Sequence, residues 1–310
     1  GCDGIGLYRT EFLYLTSRSE PTEEDHFSAY RDVVQAMPGK PIVIRTLDLG
    51  SDKMRTETQF EQERNPCLGL RSIRLSLRQL PMFRTQLRAI LRASALGDVR
   101  VLFPLVSTIV ELRQARMVLA DVMEDLAEHG IAFNAKMPVG MMVETPAAVM
   151  MLDAFIKEVD FVSIGTNDLV QYTLAVDRGN ERVANLYTAA SPAVLHLVKN
   201  VIRAGRHAGI EASLCGEIAG DPVFTMLLLG MGLRTLSMVP AQIPVVKRVV
   251  RSVDIGLCER LARRVGSFDS ERQIHTTLRD GTHGYTVAKR SEFVKCFPVQ
   301  RILSALNARE

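Results

Sequence analysis

Short apolar runs recur along this sequence at 4–9, 41–48, 99–106, 139–146, 161–164, 210–214 and 236–239, and several carry near their end, or are soon followed by, a charged, amide or thiol-bearing residue. Between them lie stretches with apolar residues at helical spacing, at 22–37, 84–95, 110–128, 191–208, 222–229 and 243–252. Several boundaries are marked. Thr22 stands as an N-cap ahead of Glu23 and Glu24, Pro38-Gly39 stops that helix, and Pro146 and Pro192 occupy helix-starting positions. Strand and helix in strict alternation build a parallel sheet, because each crossover must return right-handed to the same edge. The expected fold class is α/β, a (β/α)8 barrel of the TIM type. Seven strands are present, and the first strand of the barrel is expected ahead of Gly1.

The chain of 310 residues, 47% apolar and 24% charged, can bury a large core, and a barrel of ~250 residues is routinely one domain. A net charge of +3 is too small to expect nucleic acid as a partner. Cys2, Cys67, Cys215, Cys258 and Cys296 are widely spaced, form no zinc-type cluster and are expected as free thiols in a reducing cytoplasm. No signal peptide is visible, and the longest apolar run, near 223–233, is too short for membrane insertion. The domain expectation is a barrel over 1–255, helices over 256–279, and a tail over 280–310 interrupted by Gly281, Gly284 and Pro298.

A barrel brings every strand end to one rim. Arg9, Arg45, Glu144, Asn167, Asp168 and Cys215 then converge, with Arg178 on the loop after the strand at 161–164 and Arg71 on the loop after the strand at 41–48. The segment 161–180 is central: its strand breaks at Gly165 into an expected polar turn, Thr166-Asn167-Asp168, and it ends on a second turn holding Arg178. Each residue also has a plainer reading. Arginines after strands serve as solvated or ion-paired residues, carboxylates pair with them, and a cysteine fills core space. Against that stands the repulsion of four guanidinium groups around one pocket, which an anion bearing phosphate and carboxylate would relieve. Glu144 and Asp168, with oxygen ligation only, suit Mg2+ or Mn2+. A rim thiol beside cations would titrate below its free value of ~8.5 and exchange a proton.

The motifs GIGLYRTEFLY (4–14), VIRTLDLGSDK (43–53), NPCLGLRSIR (65–74), VETPAA (143–148), SIGTNDLVQYTLAVDRGN (163–180), CGEIAGD (215–221) and LLLGMGL (227–233) occur in this order. Together they resemble the C-terminal phosphoenolpyruvate-binding barrel of enzyme I, the phosphoenolpyruvate-protein phosphotransferase of the bacterial sugar phosphotransferase system. That barrel belongs to the wider phosphoenolpyruvate-utilising family. The resemblance implies phosphoryl transfer from phosphoenolpyruvate to a histidine and then to a histidine-containing phosphocarrier protein, with release of pyruvate. It implies Mg2+ (or Mn2+) on Glu144 and Asp168, substrate contacts from Arg9, Arg45, Arg71, Asn167 and Arg178, and Cys215 as the acid that protonates the enolate carbon. It also implies a cytoplasmic homodimer.

Three departures stand beside the resemblance. The family's phosphorylated histidine lies in an N-terminal domain outside this sequence, Gly50-Ser51-Asp52 replaces a usual glycine pair, and 280–310 matches nothing in the family. Two other readings are carried forward: a Mg2+-dependent, pyruvate-forming carbon–carbon lyase on a similar barrel, and a non-catalytic dimerisation module.

Overall fold

The computed structural model describes residues 2–16, 19–49 and 63–287, with side chains to 281. The Gly50-Ser51-Asp52 departure, Cys296 and the tail from 288 onward lie outside the described residues. Seven strands form one sheet: β1 (Ile5–Tyr8), β2 (Ile42–Arg45), β3 (Val99–Phe103), β4 (Val139–Val143), β5 (Phe161–Gly165), β6 (Glu211–Cys215) and β7 (Thr235–Leu236). Their order in space is their order in sequence, and every pairing is parallel. Gly6 of β1 lies against Ser237, just past β7, so the sheet curls almost into a ring. This is the α/β barrel expected from the alternation, with one strand fewer than eight.

Strand parity explains what faces inward. Alternate side chains of a strand point to opposite faces. Ile42, Ile44, Val101, Val143, Val162, Ile164 and Leu214 pack outward against the helices in the main core. Leu7, Val43, Leu102, Met142, Phe161 and Cys215 instead pack with one another. Counting two residues on from Leu7, Val43 and Met142 gives Arg9, Arg45 and Glu144. The inward register of the strands therefore delivers these side chains, with Cys215, to the carboxyl end of the ring.

The long helices are nearly where the periodicity put them: Glu23–Ala36, Leu80–Ser94, Ile109–Glu128, Pro192–Ala208, Pro222–Gly230 and Ile243–Ser252. Thr22 and Thr108 each close a capping box with the acidic residue three positions on. Three local expectations change. Thr166-Asn167-Asp168 is not a turn but the first turn of helix Thr166–Leu174, where Asp168 also favours the helix dipole. The last strand is shorter than expected, because the chain turns at Val239 and Pro240 opens a short 3-10 segment. The helix Glu271–Val287 runs through the boundary drawn at residue 280 and accommodates Gly281 and Gly284. The helix Ile255–Val265 packs Cys258 against Met226 and Val249.

Candidate active site

A cavity of about 630 Å³ opens at the carboxyl end of the ring, and Arg9, Arg45, Arg71, Glu144, Asn167, Asp168, Arg178 and Cys215 all line it. The eight residues picked from sequence are thus brought together. Glu11 and Asp48 line it too and were not picked.

Those two acids change the electrostatics. Arg45, only 8% exposed, forms ion pairs with Glu11 and, at 2.7 Å, with Asp48. Arg71 lies 2.8 Å from Asp48 and 3.1 Å from Asp168, and Arg178 Nη2 lies 3.4 Å from Asp168 Oδ1. Cations and carboxylates therefore alternate, and the repulsion expected among the arginines is already relieved without a bound anion. Burial alone would raise the pKa of Asp48. Arg45 and Arg71, with hydrogen bonds from Ser72 and Arg71, together outweigh it and bring the pKa down to about 2. Burial would likewise deprotonate Arg45 and Arg71, yet the carboxylates around them hold both above the ordinary arginine value. Tyr172 supports Arg71: its hydroxyl accepts from Arg71 Nη1 at 3.4 Å and donates to the Cys67 carbonyl. Arg9 is exposed and, among the described residues, makes no ion pair.

The opposite wall behaves differently. Glu144 is 2% exposed and accepts a 2.5 Å hydrogen bond from the Leu105 amide, whose residue sits at φ 53°. Burial, followed by the charges of Asp168 and Asp48, pushes the Glu144 pKa well above the carboxylate range. Asp168 Oδ1 is buried and accepts no hydrogen bond. A cation placed between these acids would reverse the penalty on Glu144 and ligate Asp168 Oδ1, which has the Arg178 charge nearby but accepts no hydrogen bond, so this oxygen-only pair fits a hard divalent ion. Gly165 keeps the space open, since a Cβ there would lie 2.6 Å from Glu144 Oε2.

Cys215 ends β6 with Sγ 3.6 Å from both Ser163 Oγ and the Ile164 carbonyl. The expected drop in its pKa is reversed. Burial raises it to about 11, against the opposing Ser163 hydrogen bond and the positive charge of Arg45. The thiol therefore stays protonated. Gly216 follows at φ 110°, where a side chain would meet Thr166 Oγ1 at 2.2 Å, so the chain turns there only with glycine. Asn167 Oδ1 accepts from the Glu217 amide at 3.1 Å, which leaves its NH2 group as the end available to a ligand. Among the described residues, no histidine lines the cavity.

A parallel α/β ring with a polar, anion- and cation-competent rim defines an enzyme-type ligand site at the carboxyl ends of the strands. The family model described as PEP-utilising enzyme, PEP-binding domain matches residues 1–255, and the chain belongs to this family. Phosphoenolpyruvate-protein phosphotransferase of Geobacillus stearothermophilus is 52% identical over 238 residues, covering 77% of this chain and 41% of that protein. The protein of the same description from Cupriavidus necator is 49% identical over 280 residues, covering 88% and 47%. The chain thus spans less than half the length of these relatives. Among solved structures, a magnesium/glyoxylate complex of Haloferax volcanii malate synthase aligns with a TM-score of 0.50 at 13% identity, covering 87% of this chain and 77% of that one. That likeness is one of fold. Among the described residues, no helix is long and apolar enough to cross a membrane.

Proposed function

We propose that this chain is the phosphoenolpyruvate- and Mg2+-binding catalytic domain of a phosphoenolpyruvate-protein phosphotransferase. The observation that carries the reading is a single rim that gathers four arginines, two carboxylates suited to a metal and a thiol held toward its protonated form.

In this reading Arg9, Arg45, Arg71 and Arg178 grip the phosphate and carboxylate of the substrate, and the Asn167 amide donates to the phosphate. Glu144 and Asp168 would hold Mg2+, which would supply Lewis-acid stabilisation of the negative charge of the reaction. Cleavage of the P–O bond sends the phosphoryl group to a histidine nitrogen contributed from outside these residues, and the bonding pair stays on oxygen as pyruvate enolate. The Cys215 S–H then gives its proton to C3, forming pyruvate and a thiolate. Burial of the thiolate favours rapid return of a proton. The high thiol pKa supports an acid role better than the depressed value expected from sequence would have done. The proposed partners are phosphoenolpyruvate and pyruvate, a histidine-containing phosphocarrier reached through the histidine outside these residues, and a second copy of the chain, in the cytoplasm.

Titration calorimetry tests the reading. Phosphoenolpyruvate is expected to bind the folded chain in the presence of Mg2+ and much more weakly after chelation. A folded chain that binds neither would overturn it. Cys215→Ala is expected to bind as before but, joined to a histidine-bearing partner domain, to lose proton exchange at C3 of pyruvate.

A further inference from the structure

Behind the arginine wall runs a chain of buried polar side chains that no step above uses. Leu47, between Arg45 and Asp48, donates its amide to Gln86 Oε1 at 2.9 Å. Gln86 Nε2 lies 3.3 Å from the Tyr30 hydroxyl, which lies 2.9 Å from His26 Nδ1. His26 Nε2 lies 3.3 Å from the Tyr14 hydroxyl. Tyr14 sits three positions beyond Glu11 on helix Glu11–Thr16, and Glu11 is the ion partner of Arg45. The side chains therefore close a loop between the two partners of one ion pair, drawing on three helices and the end of β2. His26 and Tyr30 are wholly buried and Gln86 is 1% exposed. An apolar core would fill this space at lower risk, since a half-satisfied buried network costs more than none.

The bonds run in one sense. Gln86 Oε1 accepts from Leu47, so its NH2 group donates to Tyr30. The single Tyr30 proton then goes to His26 Nδ1, which must be unprotonated. The His26 proton sits on Nε2 and donates to Tyr14. Only a neutral imidazole completes the series, and burial lowers the His26 pKa to about 4, against a small opposing effect of Asp25. A protonated ring would leave the Tyr30 proton without an acceptor. Arg45 needs such support, because its buried Nε has no hydrogen-bond partner. Its guanidinium is oriented by its Nη contacts and by whatever fixes the backbone on either side.

We infer that the series Leu47–Gln86–Tyr30–His26–Tyr14 is a positioning relay that sets where Arg45 presents its guanidinium to the ligand. His26 and Tyr30 act through Arg45 and touch no substrate. The ligand in question rests on the reading proposed above, whereas the relay itself does not.

The test is NMR of the whole chain, native and as Tyr30→Phe, His26→Leu and His26→Gln. Imidazole 15N shifts of the native chain are expected to report the Nε2–H tautomer at neutral pH, and the Nδ1–H tautomer would overturn the relay. Hydrogen exchange of the Arg45 guanidinium and the Leu47 amide is expected to quicken about tenfold in Tyr30→Phe and His26→Leu, the scale of one buried hydrogen bond lost. The Met141 amide in β4 should hold its native rate. In His26→Gln, whose carboxamide can both accept and donate, rates should return to within about threefold of native. Unchanged Arg45 exchange, or an increase shared equally by Met141, would reduce these residues to core packing and overturn the inference. Phosphoenolpyruvate affinity on the same samples should fall in parallel. A native chain with no affinity would sink the proposed substrate, while the exchange data would still decide the relay.

Discussion

The two walls of the cavity are built on opposite principles. On the side of β1 and β2, Arg45 and Arg71 are each neutralised by a carboxylate, and Asp48 is locked in its charged form. On the side of β4 to β6, Glu144 and Cys215 are both pushed toward their protonated forms. The first wall is a lattice of charge around Arg45 and Arg71 that a ligand must partly displace, with Arg9 exposed beside it. The second sets a carboxyl and a thiol, both pushed toward their neutral forms, beside Asp168, which is paired with Arg71 and Arg178. In the proposed reading the first wall supplies Arg9, Arg45 and Arg71 for grip, and the second adds Arg178 and Asn167 to the groups that do the chemistry.

The largest effect that would break this contrast is expected from Arg45→Met. It leaves Glu11 without its cation and Asp48 with one fewer, both in buried surroundings, and should cost about 3 kcal/mol of stability in denaturant melts together with most phosphoenolpyruvate affinity. An affinity within twofold of native would remove Arg45 from the gripping wall. Acid titration of stability sharpens the same point. Asp48 falls from its ordinary 3.8 to about 2 on folding, so its contribution is complete above pH 3.8 and is lost as pH falls toward 2. In Arg45→Met that acid limb should move upward in pH.

On the other wall, Mg2+ binding should be coupled to proton release from Glu144, read by calorimetry in buffers of different ionisation heat, and should strengthen as pH rises. Glu144→Gln should abolish both effects while leaving the melting point unchanged or higher. The smallest effect is kinetic. Alkylation of Cys215 by iodoacetamide at pH 8 should run at least about tenfold slower than that of a free cysteine, because its thiol titrates near 11. A fast reaction would contradict the protonated state that the acid role needs.

Much of this was legible in the sequence because the barrel is periodic. Residues at the end of an apolar run, two positions on from an inward one, had to reach the rim, which is why Arg9, Arg45 and Glu144 could be named. What escaped depended on neighbours across strands. Asp48 and Glu11 stood in view beside Arg45 and Arg9, but nothing local says that one carboxylate bridges Arg45 and Arg71 while another comes from a different strand end. Thr166-Asn167-Asp168 looked like a turn because asparagine and aspartate favour turns, and tertiary placement after Gly165 made it a helix start. The direction of the Cys215 shift was missed for the same reason: the cations beside it were visible, but the depth of its burial was not. Nothing local in the stretch 22–37 marks His26 as buried, and its helix turns that face inward.

The strand order β1 to β7 also has a consequence in time. Each strand pairs with the next one to leave the ribosome, so the sheet can grow by local steps in the order of synthesis. The pocket cannot. Arg71 waits for Asp168, the Asn167 amide for Glu217, and Gly6 for Ser237. A chain stopped short of β6 would carry most of a sheet and the arginine–carboxylate lattice, but neither the Cys215 thiol nor the Glu217 amide that fixes Asn167. Competence arrives abruptly, near the end, when the last strands close the ring.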